Sequence, residues 1–272
     1  MIGVNTTKGL EMASVSESFR IDGSVAVVTG GAGLYGQHIV RALAEAGAHV
    51  AIASRDRAAG AVLAEELAGQ GLSVSAHRLD LAAEESVVGL TQEIIEAFGR
   101  IDILVNNAVA RAGSDPQRTS AEHWEATSRV NSRGLFLMTR ECGARMIDQG
   151  AGVMINISSI YGMVGPEFAI YGGTGMTMPA FYAYDKGGMI NFTRYAACFY
   201  APHGIRVNCI SPGGLADGSQ PEEFLRNYVS RVPLGRLAGT EDIKGAVVFL
   251  ASPAAAYITG VNLPVDGGWT AR

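Results

Sequence analysis

The sequence has few of the features that mark secreted, metal-binding or nucleic-acid-binding proteins. Its three cysteines, Cys142, Cys198 and Cys209, lie far apart and include no C-x-x-C pair, which argues against a disulfide framework and favours a reducing cytosol. None of the five histidines has the spacing of a metal-binding motif such as H-E-x-x-H, so no metal site is expected. The net charge of −5 and the lack of a run rich in lysine and arginine argue against a nucleic-acid partner.

Long apolar runs are also missing. No run reaches the ~20 apolar residues that a membrane helix needs, and residues 1–20 lack the continuous apolar segment of a signal peptide. We therefore expect a cytoplasmic protein with no membrane partner. Residues 1–20 are predicted to form an N-terminal arm that frays or contacts a partner.

The regular feature of the chain is an alternation of two patterns across residues 21–272. Short apolar runs rich in β-branched residues, such as 24–30 and 49–54, alternate with amphipathic stretches such as 84–99. Apolar strands that alternate with amphipathic helices are typical of a parallel sheet covered on both faces. No linker, low-complexity tract or change of composition interrupts the pattern, so we predict one α/β domain.

A glycine-rich turn lies between the first predicted strand and the first predicted helix. Gly31, Gly33 and Gly36 in "VVTGGAGLYGQHIV" match the pattern G-x-G-x-x-G. Small residues let the backbone approach a pyrophosphate, which then lies at the positive end of the helix. The pattern in this position predicts a dinucleotide site; the simpler alternative is a flexible turn.

The end of the second predicted strand bears on the choice of cofactor. Ser54 stands where NAD sites usually place an acid, and Arg55 and Asp56 follow it. A carboxylate at position 54 would repel a 2′-phosphate, whereas a small hydroxyl followed by an arginine would accommodate one. NADP(H) is therefore favoured, while Asp56 keeps NAD(H) open. The alternative is that Arg55 is a solvated charge at the start of a helix.

The segment "YAYDK" offers two tyrosines for acid–base chemistry. A free tyrosine has a pKa near ~10, and a lysine ammonium one helical turn away lowers it. Tyr182 is four residues before Lys186, which places both on one helical face, whereas Tyr184 is two residues before it and points elsewhere. We predict that Tyr182 is the acid/base and that Tyr184 packs or lines a wall.

Several segments together resemble the short-chain dehydrogenase/reductase family over residues 22–270. They are "TGGAGLYG", "NNA" (106–108), "RVNSRG", "INISS", "YAYDK", "RVNCISPGG" and "VDGG". The resemblance implies a single domain with a Rossmann-type, doubly wound, seven-stranded parallel sheet and helices on both faces. It also implies NAD(P)-linked oxidoreduction, a small-molecule substrate, and a homo-oligomer that is a dimer or tetramer.

The resemblance also implies which residues do the work. The catalytic quartet falls on Asn131, Ser159, Tyr182 and Lys186. Ser159 would hydrogen-bond the substrate oxygen, with Ser158 as the competing candidate; Lys186 would hold ribose hydroxyls, and Asn131 would position a water. The predicted cofactor-binding residues are Gly30, Gly31, Gly33, Leu34, Tyr35, Gly36, Ser54, Arg55, Asp80, Leu81, Asn107, Ala108, Tyr182, Lys186, Pro212 and Gly213.

The chain departs from the family pattern at several positions. Leu34 replaces a glycine of the phosphate loop, Val109 replaces the glycine after "NNA", and Asp217 replaces a threonine. Asp185 stands where a serine usually precedes the lysine. Its charge would offset part of the positive field at Tyr182 if it faced the site, and the sequence leaves its direction open.

The connection between Ser159 and Tyr182 has 22 residues, which is longer than the family usually has. The extra segment, 166–179, is predicted to line the substrate pocket; a subunit contact is the alternative. Its form resembles gluconate 5-dehydrogenase-like members and members from surface-sugar biosynthesis. Its hydroxyls and glycines favour a polyhydroxylated substrate.

These observations lead to one main functional hypothesis and two alternatives. The main hypothesis is hydride transfer between a nicotinamide and a secondary alcohol or ketone of a sugar, sugar acid or polyol. A 3-oxoacyl-thioester (acyl carrier protein) reductase is the first alternative, because residues 232–252 resemble those enzymes as well. The second is a non-catalytic dinucleotide-sensing protein, which would not need an activated tyrosine.

Overall fold

The computed structural model describes residues 14–111 and 113–271, and seven parallel strands form its single sheet. The spatial order is β3-β2-β1-β4-β5-β6-β7. The strands are β1 (Val25–Thr29), β2 (His49–Ser54), β3 (Val74–Arg78), β4 (Ile103–Asn106), β5 (Gly152–Ile157), β6 (Ile205–Pro212) and β7 (Asn262–Val265). The doubly wound, seven-stranded fold inferred from the resemblance is confirmed.

Helices connect successive strands across both faces of the sheet. They are α1 (Val15–Ser18), α2 (Leu34–Glu45), α3 (Arg57–Ala68), α4 (Glu84–Phe98), α5 (Ala121–Ser128), α6 (Gly134–Gln149), α7 (Ala180–Tyr200), α8 (Glu222–Val229) and α9 (Lys244–Ala251). A π-helical turn, Arg129–Arg133, joins α5 to α6. None of the helices in the described ranges is long and apolar enough to cross a membrane.

The core consists of two apolar layers, one on each face of the sheet. On one face, Ile39 of α2 and Val247 of α9 pack against the central strands. On the other, Ile94 of α4 and Met138 of α6 do so. Every residue of β1 is buried, which explains why that strand reads as a continuous apolar run rather than an alternating one.

The strand order reverses beside β1, which pairs with β2 on one side and β4 on the other. In doubly wound sheets, ligands bind in the crevice that opens at the carboxyl ends of the strands at such a switch point. The turns after β1, β2 and β4 therefore form the expected binding edge.

The predicted N-terminal arm lies partly outside the described residues, which begin at position 14. Helix α1 starts with a capping box in which Ser14 and Glu17 satisfy each other's backbone N–H groups. The Phe19 ring, which follows α1, lies 6.0 Å from the Phe249 ring of α9. This part of the arm therefore packs against the domain.

Candidate active site

The glycine-rich turn closes tightly between β1 and α2. Gly30 has a φ of +64°, and a Cβ on Gly36 would lie 2.1 Å from the Gly30 carbonyl oxygen. A side chain at either position would disturb the turn. Gly33 is the N-cap of α2 and supplies no side-chain capping bond, so the first-turn N–H groups of α2 remain available to an anion.

A cavity of about 390 Å³ opens at this turn and is called the nucleotide cavity below. Of the predicted cofactor-binding residues, its lining includes Gly30, Gly33, Leu34, Tyr35, Ser54, Arg55, Leu81, Asn107 and Ala108. It also includes Asp56, which the sequence analysis weighed only as support for NAD(H), and six residues that were not predicted to bind the cofactor, namely Ala53, Leu79, Val109, Ala110, Arg111 and Val130. All but Val130 lie within three positions of a predicted cofactor-binding residue, and Val130 is next to the predicted catalytic residue Asn131, so the motifs lie at the turns that form this cavity but do not cover their full extent.

Seven predicted cofactor-binding residues do not line this cavity: four of them line the adjoining cavity described below, and Gly31, Gly36 and Asp80 line neither cavity. A Cβ on Gly31 would lie 3.0 Å from Val40 and 3.1 Å from Ile52, so this glycine permits packing of α2 on the sheet. Gly36 permits the close turn described above. The Asp80 carboxylate accepts the N–H of Ala82, 3.0 Å away, and so shapes the turn before α4.

The residues that are expected to contact the adenosine ribose lie at the far end of the nucleotide cavity. The Ser54 hydroxyl donates to the Asp56 carbonyl oxygen over 2.6 Å, and the Asp56 carboxylate caps α3 by accepting the N–H of Ala59 over 3.1 Å. Arg57 donates to the Ala76 carbonyl oxygen, 3.2 Å away. Arg55 is exposed, lines the cavity and makes no ion pair within the described part of the chain. The residues present thus fit the ribose end of a nicotinamide dinucleotide.

A second cavity of about 190 Å³ adjoins the first and is called the tyrosine cavity. Its lining includes Ser159, Lys186, Pro212 and Gly213 together with five tyrosines, Tyr35, Tyr161, Tyr171, Tyr182 and Tyr228. Arg111 and Asn107 line both cavities. The structure therefore brings three of the four predicted catalytic residues to one cavity beside the nucleotide cavity.

Four of the five phenols in this cavity already have hydrogen-bond partners. Tyr35 donates to the Gly213 carbonyl oxygen over 2.9 Å, and the Tyr228 oxygen accepts the N–H of Gly214 over 2.7 Å. The hydroxyls of Tyr161 and Tyr171 lie 3.0 Å apart and bond each other. Within the described ranges, the Tyr182 hydroxyl bonds no protein group, so it is the one phenol of this cavity without a hydrogen-bond partner in the protein.

Burial disfavours ionisation of the four partnered phenols. It raises the pKa of Tyr228 to about 12 and raises the pKa values of Tyr35, Tyr161 and Tyr171 as well. Tyr184, the rival of Tyr182, lines neither cavity. Its side chain is 66% exposed, and its ring lies 5.4 Å from that of Trp124 on the outer surface.

Lys186 is buried beneath Tyr182. Its Nζ donates to the Ile157 carbonyl oxygen over 2.6 Å and lies 5.7 Å from the centroid of the Tyr182 ring. Burial lowers the pKa of this amine. The Arg111 guanidinium lies 5.9 Å from the same ring, so two cations flank Tyr182.

The two serines that follow β5 have different partners. The Ser158 hydroxyl donates to the Lys186 carbonyl oxygen over 2.8 Å and so ties β5 to α7. The Ser159 oxygen accepts the N–H of Tyr161 over 3.2 Å, which leaves its own proton free to donate. Ser159 is thus the serine that can donate to an oxygen in the tyrosine cavity.

Asn131 lies behind both cavities rather than in their linings. It is buried on the π-helical turn, and its amide forms two hydrogen bonds with the backbone of Ala110. Its Nδ2 also donates to the Asp185 carboxylate over 2.9 Å. Asp185 therefore faces the π-helical turn and not Tyr182, which answers the question that the sequence left open.

The inserted segment contributes directly to the tyrosine cavity through Tyr171, Met176, Thr177 and Met178. The Tyr171 ring stacks on Phe224 of α8 at 5.7 Å. The residues of this segment that line the cavity have larger side chains than the composition of the whole segment indicates. The glycines of the segment lie instead in the turns between the lining residues. Gly173 and Gly175 have φ values of +74° and +69°.

The two cavities and the buried lysine beside a free phenol define a nicotinamide-dependent oxidoreductase. Residues 33–270 match the family model described as Enoyl-(Acyl carrier protein) reductase. D-threitol dehydrogenase of Mycolicibacterium smegmatis is 33% identical over 266 residues, which cover 95% of this chain and 97% of that protein. Galactitol 2-dehydrogenase (L-tagatose-forming) of Cereibacter sphaeroides is 35% identical over 261 residues, which cover 93% and 97%.

Three other proteins are also similar to this chain. A 3-oxoacyl-[acyl-carrier-protein] reductase of Aquifex aeolicus is 34% identical over 253 residues, which cover 92% of this chain and 98% of that protein. The structure of a gluconate 5-dehydrogenase from Burkholderia cenocepacia in complex with NADP and tartrate superposes with a TM-score of 0.85 at 31% identity, covering 94% and 98% of the two chains. An NAD⁺-bound xylitol dehydrogenase superposes with a TM-score of 0.81 at 29% identity, covering 91% and 99%.

The chain belongs to the short-chain dehydrogenase/reductase family. It is an NAD(P)-dependent enzyme that acts on CH–OH groups. The family and the enzyme class inferred from the sequence are confirmed. No group of three or more potential metal ligands occurs within the residues that the structure describes.

Proposed function

We propose that this enzyme interconverts a secondary alcohol and a ketone on a sugar, sugar acid or polyol, with Tyr182 as the acid/base. The observation that carries the proposal is the state of the five phenols in the tyrosine cavity. Tyr182 alone keeps its hydroxyl free within the described part of the chain, and it alone lies over the buried Lys186 ammonium. An acid/base tyrosine needs an accessible hydroxyl, and a nearby cation stabilises its phenolate.

The proposed mechanism assigns each polar group one task. In oxidation, Tyr182 acts as a phenolate stabilised by the positive charges of Lys186 and Arg111; it takes the proton from the alcohol oxygen and becomes a neutral phenol. The Ser159 hydroxyl donates to the same oxygen and stabilises its negative charge. When bound, the nicotinamide cofactor supplies or accepts the hydride. In reduction, Tyr182 returns the proton.

Two features support a polyhydroxylated substrate. The first is that the relatives described above include dehydrogenases of threitol and galactitol. The second is the Tyr161–Tyr171 pair, because two phenols that bond each other still offer a lone pair or a proton to a ligand hydroxyl. The 3-oxoacyl-thioester reductase remains the second candidate, supported by the relative of that activity.

The cofactor preference that we propose is NADP(H). Arg55 lines the nucleotide cavity as an exposed cation, and the Asp56 carboxylate is engaged in capping α3. The double change Ser54→Asp and Arg55→Ala should reverse the preference, because it places a carboxylate near the ribose and removes the cation. Titration of each protein with NADPH and NADH measures this. Tighter binding of NADH than NADPH by the unaltered enzyme would contradict the proposal.

We also propose a cytosolic homo-oligomer, a dimer or tetramer. The three cysteines are unpaired, which suits a reducing compartment. The outer face of α7 carries an aromatic stripe of Phe192, Tyr195 and Phe199, with adjacent rings 6.2 and 6.3 Å apart. Tyr195 is 66% and Phe199 53% exposed, and exposed apolar groups of this kind commonly mark an interface.

The proposal is tested by following nicotinamide absorbance with sugar acids, polyols and 3-oxoacyl thioesters, using both cofactors. Turnover of a sugar acid or polyol that is absent in Tyr182→Phe supports the main proposal. Turnover of thioesters alone would replace it with the second candidate. Tight cofactor binding without turnover on any compound would favour the dinucleotide-sensing alternative.

A further inference from the structure

Asp185 is a buried carboxylate for which the proposed mechanism has no task. It lies on α7 between Tyr182 and Lys186 and is only 7% exposed. It makes no ion pair with any side chain that the structure describes. Burying an unpaired carboxylate is unfavourable unless hydrogen bonds to the charged form compensate. Its contacts should therefore show what it does.

Both carboxylate oxygens of Asp185 bind the π-helical turn. Oδ1 accepts the Ser132 hydroxyl over 2.7 Å, and Oδ2 accepts the Asn131 Nδ2 over 2.9 Å. Hydrogen bonds to an ionised acceptor are stronger than those between neutral groups. The turn itself is an irregular one, in which the N–H of Gly134 bonds the carbonyl oxygen of Arg129. Asp185 thus holds this turn against α7.

The same contacts connect the two cavities. The Asn131 side chain accepts the N–H of Ala110 over 2.8 Å and donates to its carbonyl oxygen over 3.1 Å. Ala110 lines the nucleotide cavity, and the next residue, Arg111, lines both cavities. A continuous set of hydrogen bonds therefore runs from the wall of the nucleotide cavity through Asn131 to the helix that carries the acid/base.

We propose that Asp185 is a positioning residue: its carboxylate fixes Asn131 and the π-helical turn to α7, and so holds Tyr182 and Lys186 at one distance from the nucleotide cavity. The inference rests on the proposed function of Tyr182. It predicts an effect on kcat, because a small displacement of the reacting groups slows the chemical step more than it weakens cofactor binding. A substitution of Asp185 leaves the residues that line the nucleotide cavity unchanged.

Three variants test the proposal on the full-length enzyme. Asp185→Ala removes both acceptors, and we expect kcat to fall by about ten- to a hundredfold while the KM for the cofactor changes by less than about threefold. Asp185→Asn can accept from Asn131 and donate to the Ser132 oxygen, so it should restore kcat to within about fivefold of the unaltered enzyme. Asp102→Ala is the matched control.

Asp102 also joins two segments, through a partly buried hydrogen bond and an exposed ion pair, but at the opposite end of the sheet. It accepts the N–H of Val25 over 2.8 Å and pairs with Arg100. Asp102→Ala should lower the melting temperature without lowering kcat. An equal fall of kcat in Asp102→Ala and Asp185→Ala would show a merely structural role and would overturn the proposal.

Two other results would overturn it, namely a kcat of Asp185→Ala within about twofold of the unaltered enzyme, or Asp185→Asn no better than Asp185→Ala. If Asp185→Ala does not fold, Asp185→Ser replaces it, because its shorter side chain cannot reach both donors and should give the same loss of kcat. A separate control, Tyr182→Phe, tests the proposed function itself, so failure of one inference is distinguishable from failure of the other.

Discussion

Lys186 combines burial with a functional charge. The side chain is 3% exposed, and its ammonium has one hydrogen-bond partner among the described residues, the Ile157 carbonyl oxygen. Burial lowers the pKa of the amine, so the charged form is less stable in the folded chain than in the unfolded chain. The proposed phenolate of Tyr182 requires that charge. The enzyme thus retains a buried ammonium that lowers the free energy of unfolding of the protein.

The pH dependence of stability should reveal this effect. The folded-state pKa of Lys186 is below its ordinary value of 10.5, so the destabilisation is fully present below the folded-state pKa and disappears as the pH rises to 10.5. Lys186→Met removes the titration. We expect the melting temperature of Lys186→Met minus that of the unaltered enzyme to decrease as the pH rises from neutral towards 10.5.

Thermal unfolding of both proteins without cofactor measures this difference, and the effects of titrating groups that do not interact with Lys186 cancel because both proteins share them. Lys186→Met also loses the bond to Ile157, which shifts the difference by an amount that does not depend on pH. A difference that stays constant or increases with pH would contradict the account of Lys186.

Helix α7 shows how far local sequence patterns predict this site. The four-residue spacing of Tyr182 and Lys186 correctly placed both in one cavity and Tyr184 outside it, because helical periodicity is a local property. The apolar runs likewise predicted the strands of the sheet, and the glycines after β1 predicted the turn beside the nucleotide cavity.

The hydrogen-bond partners of the phenols could not be predicted from the sequence. Tyr35, Tyr161, Tyr171 and Tyr228 come from four separate segments, and their convergence depends on tertiary packing that no local spacing encodes. The π-helical turn was also missed, because an insertion of one residue into a helix leaves the surrounding periodicity almost unchanged. The direction of the Asp185 side chain could not be predicted either, because its partners Asn131 and Ser132 lie on that turn.

The inserted segment yields a prediction about substrate recognition. Tyr171→Phe keeps the ring stacked on Phe224 but removes one hydroxyl of the Tyr161–Tyr171 pair. If that pair binds a substrate hydroxyl, the KM for the best polyol or sugar acid should rise about three- to tenfold, with a smaller change in kcat. Steady-state kinetics measures both constants.

Tyr257→Phe is the control, because this tyrosine is fully exposed and lines neither of the two cavities. Its KM should equal that of the unaltered enzyme. An unchanged KM in Tyr171→Phe would show that the inserted segment encloses the cavity without reading the substrate hydroxyls.

The assembly of the enzyme should depend on the aromatic stripe of α7. Tyr195→Asp places a charge in the middle of this stripe and should reduce the mass measured by light scattering during size-exclusion chromatography, since an interface cannot bury an unpaired carboxylate without loss of affinity. Val62→Asp, at a 69% exposed position of α3, is the control. An unaltered enzyme that is monomeric, or an oligomer unaffected by Tyr195→Asp, would contradict this assignment.

The central claim for the whole molecule is that the fold presents Tyr182 to the substrate beside the nucleotide cavity as the acid/base, the one phenol of the tyrosine cavity without a hydrogen-bond partner among the described residues. The most direct test is the kcat of Tyr182→Phe compared with that of Tyr184→Phe on the same substrate. We predict that Tyr182→Phe lowers kcat by about 10²- to 10⁴-fold, whereas Tyr184→Phe stays close to the unaltered enzyme. Near-normal turnover in Tyr182→Phe with loss of turnover in Tyr184→Phe would contradict the account.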